Sequence, residues 1–136
     1  MSLHLEIVTP EKKVFSDQVE NVYLPGADGE MGVLEMHAAL VSAVSAGELR
    51  YLKDGKVTEL AIGNGFAEVT QKKVSVLTDV AFQEDEIDED KVEAAMKRAE
   101  ETLEGIDPTD AEEYAAQQAV VASALAQLRL KRKRRG

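Results

Sequence analysis

Three glycines at three-residue spacing, Gly26, Gly29 and Gly32, stand in the stretch LPGADGEMGVLEMH beside His37, one of only two histidines in the chain. A glycine-rich turn can free backbone N–H groups to hold a phosphate, and a histidine next to it could move a proton. A phosphate loop of the G-x-x-x-x-G-K-[ST] type also needs its lysine, a strand before it and a helix after it. Here no lysine follows the glycines, Asp28 and Glu30 lie between them, and the following MGVLEM is strand-like. Two carboxylates in the loop repel an anion. The dinucleotide fingerprint is absent as well, lacking both its G-x-G and its helix. The stretch therefore reads as a shaped turn, in which glycine supplies backbone conformations with positive φ. Neither His4 nor His37 belongs to a Ser-His-Asp order or an H-E-x-x-H motif, and no paired ligands for a metal occur at useful spacing. His37 reads as a structural or interface residue, not a catalytic one.

The elements that must position these residues are bounded by composition. The chain has 136 residues, 44% of them hydrophobic but only 4% aromatic, so a core must come from Val, Leu, Ile and Ala. There is no cysteine, which removes disulfides, thiolate metal sites and a thiol nucleophile. No stretch approaches the roughly 18 apolar residues that span a bilayer. The expectation is a soluble protein, or one held at a membrane only through partners. The net charge of −10 argues against nucleic acid as a partner. The charge is uneven: EDEIDED (84–90) has six acids in seven, and the terminal RLKRKRRG has six cations in eight.

The first part of the chain reads as short strands. LHLEIV alternates Leu3, Leu5 and Ile7 against polar neighbours, and KKVFSDQVENVYLP reads as one longer run with Val19, Val22 and Leu24 inward, closed by a turn at Pro25-Gly26. Two hairpins follow, one around Asp54-Gly55 and one around Gln71-Lys72. Strands at this spacing, without helical pattern between them, predict an antiparallel β sandwich or flattened barrel. Beyond Phe82 the composition turns helical. Val92, Met96, Ala99 and Leu103 form one stripe on a helix from about Asp88 to Leu103, with the acids at its N-terminus where the dipole favours them. Gly105 ends it, and Asp107-Pro108 reads as the start of a second helix with a stripe of Tyr114, Gln118, Val121, Leu125 and Leu128. The fold class is thus α+β: a sandwich over 1–84, then an antiparallel helical hairpin over 85–136. The two stripes are narrow and rich in alanine, so the hairpin is marginal by itself and could dock on the sandwich or pack elsewhere.

At this point the residues resemble a known family. LPGADGEMGVLEMHAALVSAVSAGELR is similar to the glycine-rich turn and following strands of the ε subunit of bacterial F-type ATP synthases. ELAIGNGFAEVTQKKVSVLTDVA resembles that family's second hairpin, with its G-G-F-like turn and V-x-V-L-x-D ending. The likeness runs over roughly residues 1 to 130, in the same order of parts. It implies a non-catalytic rotor subunit of the proton-translocating ATP synthase. Its sandwich would bind the γ subunit and the c-subunit ring, and its helices would extend towards the α and β subunits of the catalytic head to inhibit ATP hydrolysis. It also implies a place at the cytoplasmic face of the bacterial cell membrane, reached through the complex. A stand-alone ATP-sensing or ligand-clamping module is the rival reading.

The resemblance assigns residues. Asp28, Glu30 and Met31 match the family's tip near the c ring, and His37 a γ-facing position, with Glu35 where many relatives carry proline. Some relatives bind ATP through an I/L-D-x-x-R-A pattern. Ile87 and Asp88 agree with it and Arg98 falls where a later arginine is expected, but Lys91 and Val92 replace the arginine and alanine. Ala116, Ser123 and Gln127 stand where further arginines would be wanted. Lysine lacks arginine's planar fork, so ATP binding is expected to be weak or absent, and no other cofactor is implied. The basic tail, Arg129, Lys131, Arg132, Lys133, Arg134 and Arg135, would approach an acidic loop of the catalytic head; its bland alternative is a solvated helix end.

Overall fold

The structure is a computed structural model that describes residues 3–26, 29–34 and 39–134. Among the described residues ten strands come first: β1 Leu3–Val8, β2 Lys13–Val19, β3 Asn21–Gly26, β4 Gly29–Leu34, β5 Leu40–Val44, β6 Gly47–Lys53, β7 Lys56–Ile62, β8 Gly65–Val69, β9 Lys73–Thr78 and β10 Ala81–Gln83. A single 3-10 turn, Glu84–Glu86, leads to α1 Glu89–Gly105 and α2 Ala111–Arg134.

Alternation builds the strands. Leu3, Leu5 and Ile7 of β1 are buried while their neighbours are half-exposed. The strands run in the order β10-β7-β6-β3-β5-β8-β9-β1-β2, with β4 paired to the free edge of β3. They fold into two layers. One holds β4, β3, β6, β7 and β10; the other holds β5, β8, β9, β1 and β2. β3 and β5 join the layers through the single pair Gly26↔Val44. At the far end β2 returns to β6, where Phe15 and Tyr51 stack with ring centroids 4.6 Å apart and Lys53 bonds Asp17. The Lys53 ammonium holds the Asp17 carboxyl below its ordinary value, helped by the Gln18 N–H. The ladder is antiparallel except at β1 and β9, which run parallel. Between the layers lie Leu5, Ile7, Val22, Leu24, Leu49, Leu60, Ile62, Val74 and Val76, each at most 1% exposed.

The turn chemistry is local. Asp54 and Gly55 both have positive φ, 52° and 76°, which makes the β6–β7 loop a type I′ turn suited to the twist of its strands. Three expectations are corrected. The run 12–25 is two strands: the chain changes layer at Glu20, whose N–H donates to Leu52 O at 2.7 Å. Pro25 and Gly26 remain inside β3, opposite Glu30 and Gly29. Asp107-Pro108 does not open α2. Asp107 Oδ1 instead accepts from Thr109 N and Oγ1 at 2.9 and 2.7 Å, a local turn that lowers its pKa, and Asp110 caps α2 through Glu113 N at 3.2 Å.

The stripe of α1 is as expected, with Ala99 buried and Val92, Met96 and Leu103 half-buried. The stripe of α2 is only partly so, with Leu128 buried and Val121 half-buried. Tyr114 and Leu125 are each 39% exposed, and Gln118 is exposed too. Burial falls on two opposite sides of the helix, Ala124 with Leu128 and Ala126 with Leu130. The reason is position: the second half of α2 lies between α1 on one side and β6 and β7 on the other. A helix covered on two sides has no single apolar face to find.

Candidate functional site

A sandwich has two outer faces, and here they differ. The outer face of the β6–β7 layer is closed by the chain's own helices. Ala61 of β7 packs with Ile87, Ala126 and Leu130, flanked by Phe82 and Val92. Around this small contact stands a ring of ion pairs. Lys131 Nζ reaches Glu84 Oε1 and the Glu84 carbonyl oxygen, both at 3.3 Å. Arg132 donates from Nε to Glu89 at 2.8 Å and pairs also with Glu93. Lys133 Nζ lies 2.6 Å from Glu59 Oε2 and 3.2 Å from Glu48 Oε2. Those bonds, from Glu59 first and Glu48 second, hold the Lys133 ammonium above its usual pKa. The bond to Glu89 does the same for Arg132.

Among the described residues the outer face of the other layer is uncovered. On β5 the outward residues are Val41 and Ala43, on β8 Phe66 and Glu68, and on β9 Ser75 and Leu77. The register puts Ala43 beside Phe66, Phe66 beside Leu77 and Leu77 beside Val8. An apolar row thus crosses four strands. Val41 is 73% exposed, Phe66 61% and Leu77 52%. At one end of the row an open groove of about 430 Å³ is lined by Val8, Pro10, Gly65 and Leu77. On the side of the row away from the groove the face turns polar: Glu6 pairs with Lys13 and Lys73 at 3.4 and 3.9 Å, and His4 bonds Ser16 and Gln18. Large exposed apolar groups rimmed by charge mark an interaction surface. This face was not expected from the sequence. Its signal was present, since Ala67, Val69, Val74 and Val76 point inward and the alternation sends Phe66 and Leu77 outward.

The glycine turn is built on a rigid base. Arg50 of β6 donates to Glu30 Oε1 at 2.8 Å and lies 4.6 Å from the centre of the Tyr23 ring. That ring covers Gly32, where a Cβ would sit 2.9 Å from Tyr23 Cε1. Of the predicted tip residues, Glu30 is exposed and paired, whereas Met31 is half-buried against the core, opposite Leu24. Asp28, Glu35 and His37 lie outside the described residues, as does Arg135. The structure brings two predicted sites together. Arg129 of α2 lines a groove of about 320 Å³ with Gly26, Gly29, Glu30 and Glu48, at the foot of the turn. Arg134 ends α2. At the expected nucleotide pattern, Ile87 is buried in the contact under α2 and Asp88 caps α1 by accepting from Lys91 N at 3.2 Å. Both residues therefore have structural work; Lys91 and Arg98 are exposed. Ser123 and Gln127 bond one another at 3.4 Å. Among the described residues no group of three or more His, Cys, Asp or Glu could hold a metal ion, and no helix is long and apolar enough to cross a membrane.

Residues 2–84 match the family model of the ATP synthase delta/epsilon chain, β-sandwich domain. An ATP synthase epsilon chain of Nitratidesulfovibrio vulgaris (strain DP4) is 43% identical over 130 residues, 96% of each chain. The chain belongs to the ATP synthase epsilon family. Another member, from Desulforamulus reducens, is 48% identical over 99 residues, 73% of this chain and 75% of the relative. The epsilon fold is seen at larger distance in solved structures. A chain of the Euglena gracilis mitochondrial ATP synthase (OSCP/F1/c-ring) superposes with a TM-score of 0.75 at 23% identity, over 92% of this chain and 78% of that one. A chain of the Tetrahymena thermophila mitochondrial ATP synthase central stalk and c-ring gives 0.60 at 14% identity, over 100% and 98%.

Proposed function

We propose that this epsilon-family chain is a non-catalytic rotor subunit that joins γ to the c ring and brakes ATP hydrolysis with its helices. The observation that carries this reading is the asymmetry of the sandwich. One outer face is covered by the chain's own hairpin, while the other leaves Val41, Phe66 and Leu77 to be covered by a different chain. We assign that bare face to γ. The turn around Glu30 is then left for the c ring, and residues 1–84 and 85–136 divide into an assembly part and a regulatory part. The hairpin described here is in its docked position. In the extended position Arg129 and the cations from Lys131 to Arg135 would face the α and β subunits. The chain would sit peripherally at the cytoplasmic face of the membrane, held by the complex.

The chain has no cysteine, so two can be introduced without background. In the assembled complex a cysteine at Glu30 is expected to crosslink to a c subunit, and one at Leu125 to the catalytic head when the hairpin extends. Crosslinks of position 30 to the head, or of neither position to any ATP synthase subunit, would contradict the assignment.

ATP binding by the isolated chain is expected to be weak or absent, because Ile87 and Asp88 are committed to packing and capping and the remaining cations are few. Isothermal titration should detect no micromolar site; a Kd in that range would refute this part of the reading.

A further inference from the structure

We propose that the open groove at the Leu77 end of the uncovered face is a socket for one long basic side chain of γ, with apolar walls for its methylene stem and Asp79 for its charged head. The inference rests on the assignment of that face to γ, and it names the chemistry that γ brings there.

The groove, of about 430 Å³, is continuous with the apolar row, because Leu77 belongs to both. Its walls are apolar at Val8, Pro10, Gly65 and Leu77. The polar groups beside them already have partners. Thr78 Oγ1 lies 3.1 Å from Val80 O and 3.3 Å from Asn64 O, and Thr9 Oγ1 donates to Lys12 O at 3.2 Å. Asn64 Oδ1 accepts from Ala46 N at 3.0 Å. Among the described residues that line the groove, Asp79 is the one that carries charge. It is exposed, and no described cation forms an ion pair with it. Lys12 lines the cleft on the other side of Asp79 without pairing with it.

Gly63 gives the carboxylate its place. A Cβ at this buried glycine would stand 1.8 Å from Asp79 Oδ1 and 3.1 Å from Val80 Cγ2, so the carboxylate occupies the space of a side chain at position 63. The backbone on both sides is tied: Asp79 N donates to Asn64 O at 3.2 Å, and Gly63 N to Val80 O at 3.0 Å. A partner that covers Leu77 also closes the groove and takes water from Asp79. A carboxylate that loses water needs a counter-charge. A lysine or arginine supplies one and lays its stem along the apolar walls. A purely apolar side chain would leave the carboxylate unpaired, and an acidic one would be repelled.

The test measures binding of the full chain to purified γ by isothermal titration at several salt concentrations. Urea midpoints of every variant keep loss of folding apart from loss of binding. Asp79→Asn keeps the shape of the side chain and removes its charge. It is expected to weaken binding roughly tenfold, between the values for exposed and desolvated ion pairs, and to make affinity depend less on salt. Asp79→Lys should weaken it roughly hundredfold, since two cations then meet. Asp54→Asn makes the same change of net charge at the β6–β7 turn, where asparagine suits the backbone, and should leave γ binding unaltered. Gly63→Ala keeps the carboxylate but displaces it, so it should weaken binding too. Gly63→Ala/Asp79→Asn should then bind no more weakly than Asp79→Asn alone. Additive losses would overturn the socket. So would an Asp79→Asn variant that matches Asp54→Asn in affinity and salt response while Phe66→Glu still weakens binding, which would leave γ on the face without this anchor. If Phe66→Glu and Asp79→Asn both bind γ as the parent does, the assignment of the face has failed and the socket with it.

Discussion

Gly65→Ala is expected to lower the stability of the chain by about 3 kcal/mol or more, since added atoms in a close-packed site are costly where the surroundings cannot yield. A Cβ at Gly65 would lie 1.9 Å from the carbonyl oxygen of Leu77 and 2.8 Å from Thr78 Cα. Both are backbone atoms of β9, the strand paired to β8 at that point through Gly65↔Thr78. No side-chain rotation relieves the contact, so the ladder itself must move. The neighbouring Gly63 is under similar pressure, with Asp79 Oδ1 at 1.8 Å from its Cβ position, but a side chain can turn away. This separates the two glycines of the GNGF turn: Gly65 is required by backbone, Gly63 by a movable carboxylate. Gly55 supplies the control. It has φ +76° and open space around it, so Gly55→Ala should cost only about 1–2 kcal/mol for the left-handed backbone. Urea unfolding with the slope held constant checks both. Domains of this size are stable by only about 5–15 kcal/mol, so the Gly65 variant should unfold at much lower urea. A midpoint equal to that of Gly55→Ala would refute the steric account.

Phe66→Glu is expected to leave the fold intact and to weaken the complex with γ by about thirtyfold or more, the scale set by loss of an aromatic anchor worth 2 kcal/mol or above. Phe66 is 61% exposed, so replacing it removes little intramolecular packing, and surface substitutions of this kind usually change stability by under about 0.5 kcal/mol. The new carboxylate would stand between Ala43 and Leu77, in the middle of the apolar row. If a partner covers that row, the charge must be buried without a counterion. If none does, the charge remains in water at no cost. The same change at Leu125, an exposed apolar residue on α2, should leave γ binding unaltered. Unchanged γ affinity in Phe66→Glu would remove the bare face from the interface.

How far these features were legible depends on whether the burial of an element is one-sided. β1, the β8–β9 hairpin and α1 each bury one face, and their inward residues were readable as Leu3, Leu5, Ile7, Val69, Val74 and Ala99. The break between β2 and β3 was also written in the pattern. Val19 and Val22 are both buried although three residues apart, an odd spacing that no single strand provides. α2 was misread because it is covered on two sides, which erases a stripe. The partners of the basic run could not be read at all. Lys133 and Glu59 are brought together across 74 residues of chain, and nothing local to either announces the other. The acids at 84–90, by contrast, were correctly set at the start of α1, where Asp88 caps and Glu89 and Asp90 occupy the first turn. The sequence could not show that Glu84 and Glu89 also receive the tail.

The bare face of the sandwich is assigned above to γ. Hydroxyl-radical footprinting of the full chain, alone and bound to purified γ, tests it side chain by side chain. The predicted result is strong protection of Phe66, Leu77 and Val41 on binding, with Tyr114 and Leu125 as reactive as before. Phe66 and Leu77 retaining their full reactivity in the complex, or a chain that does not bind γ at all, would contradict it.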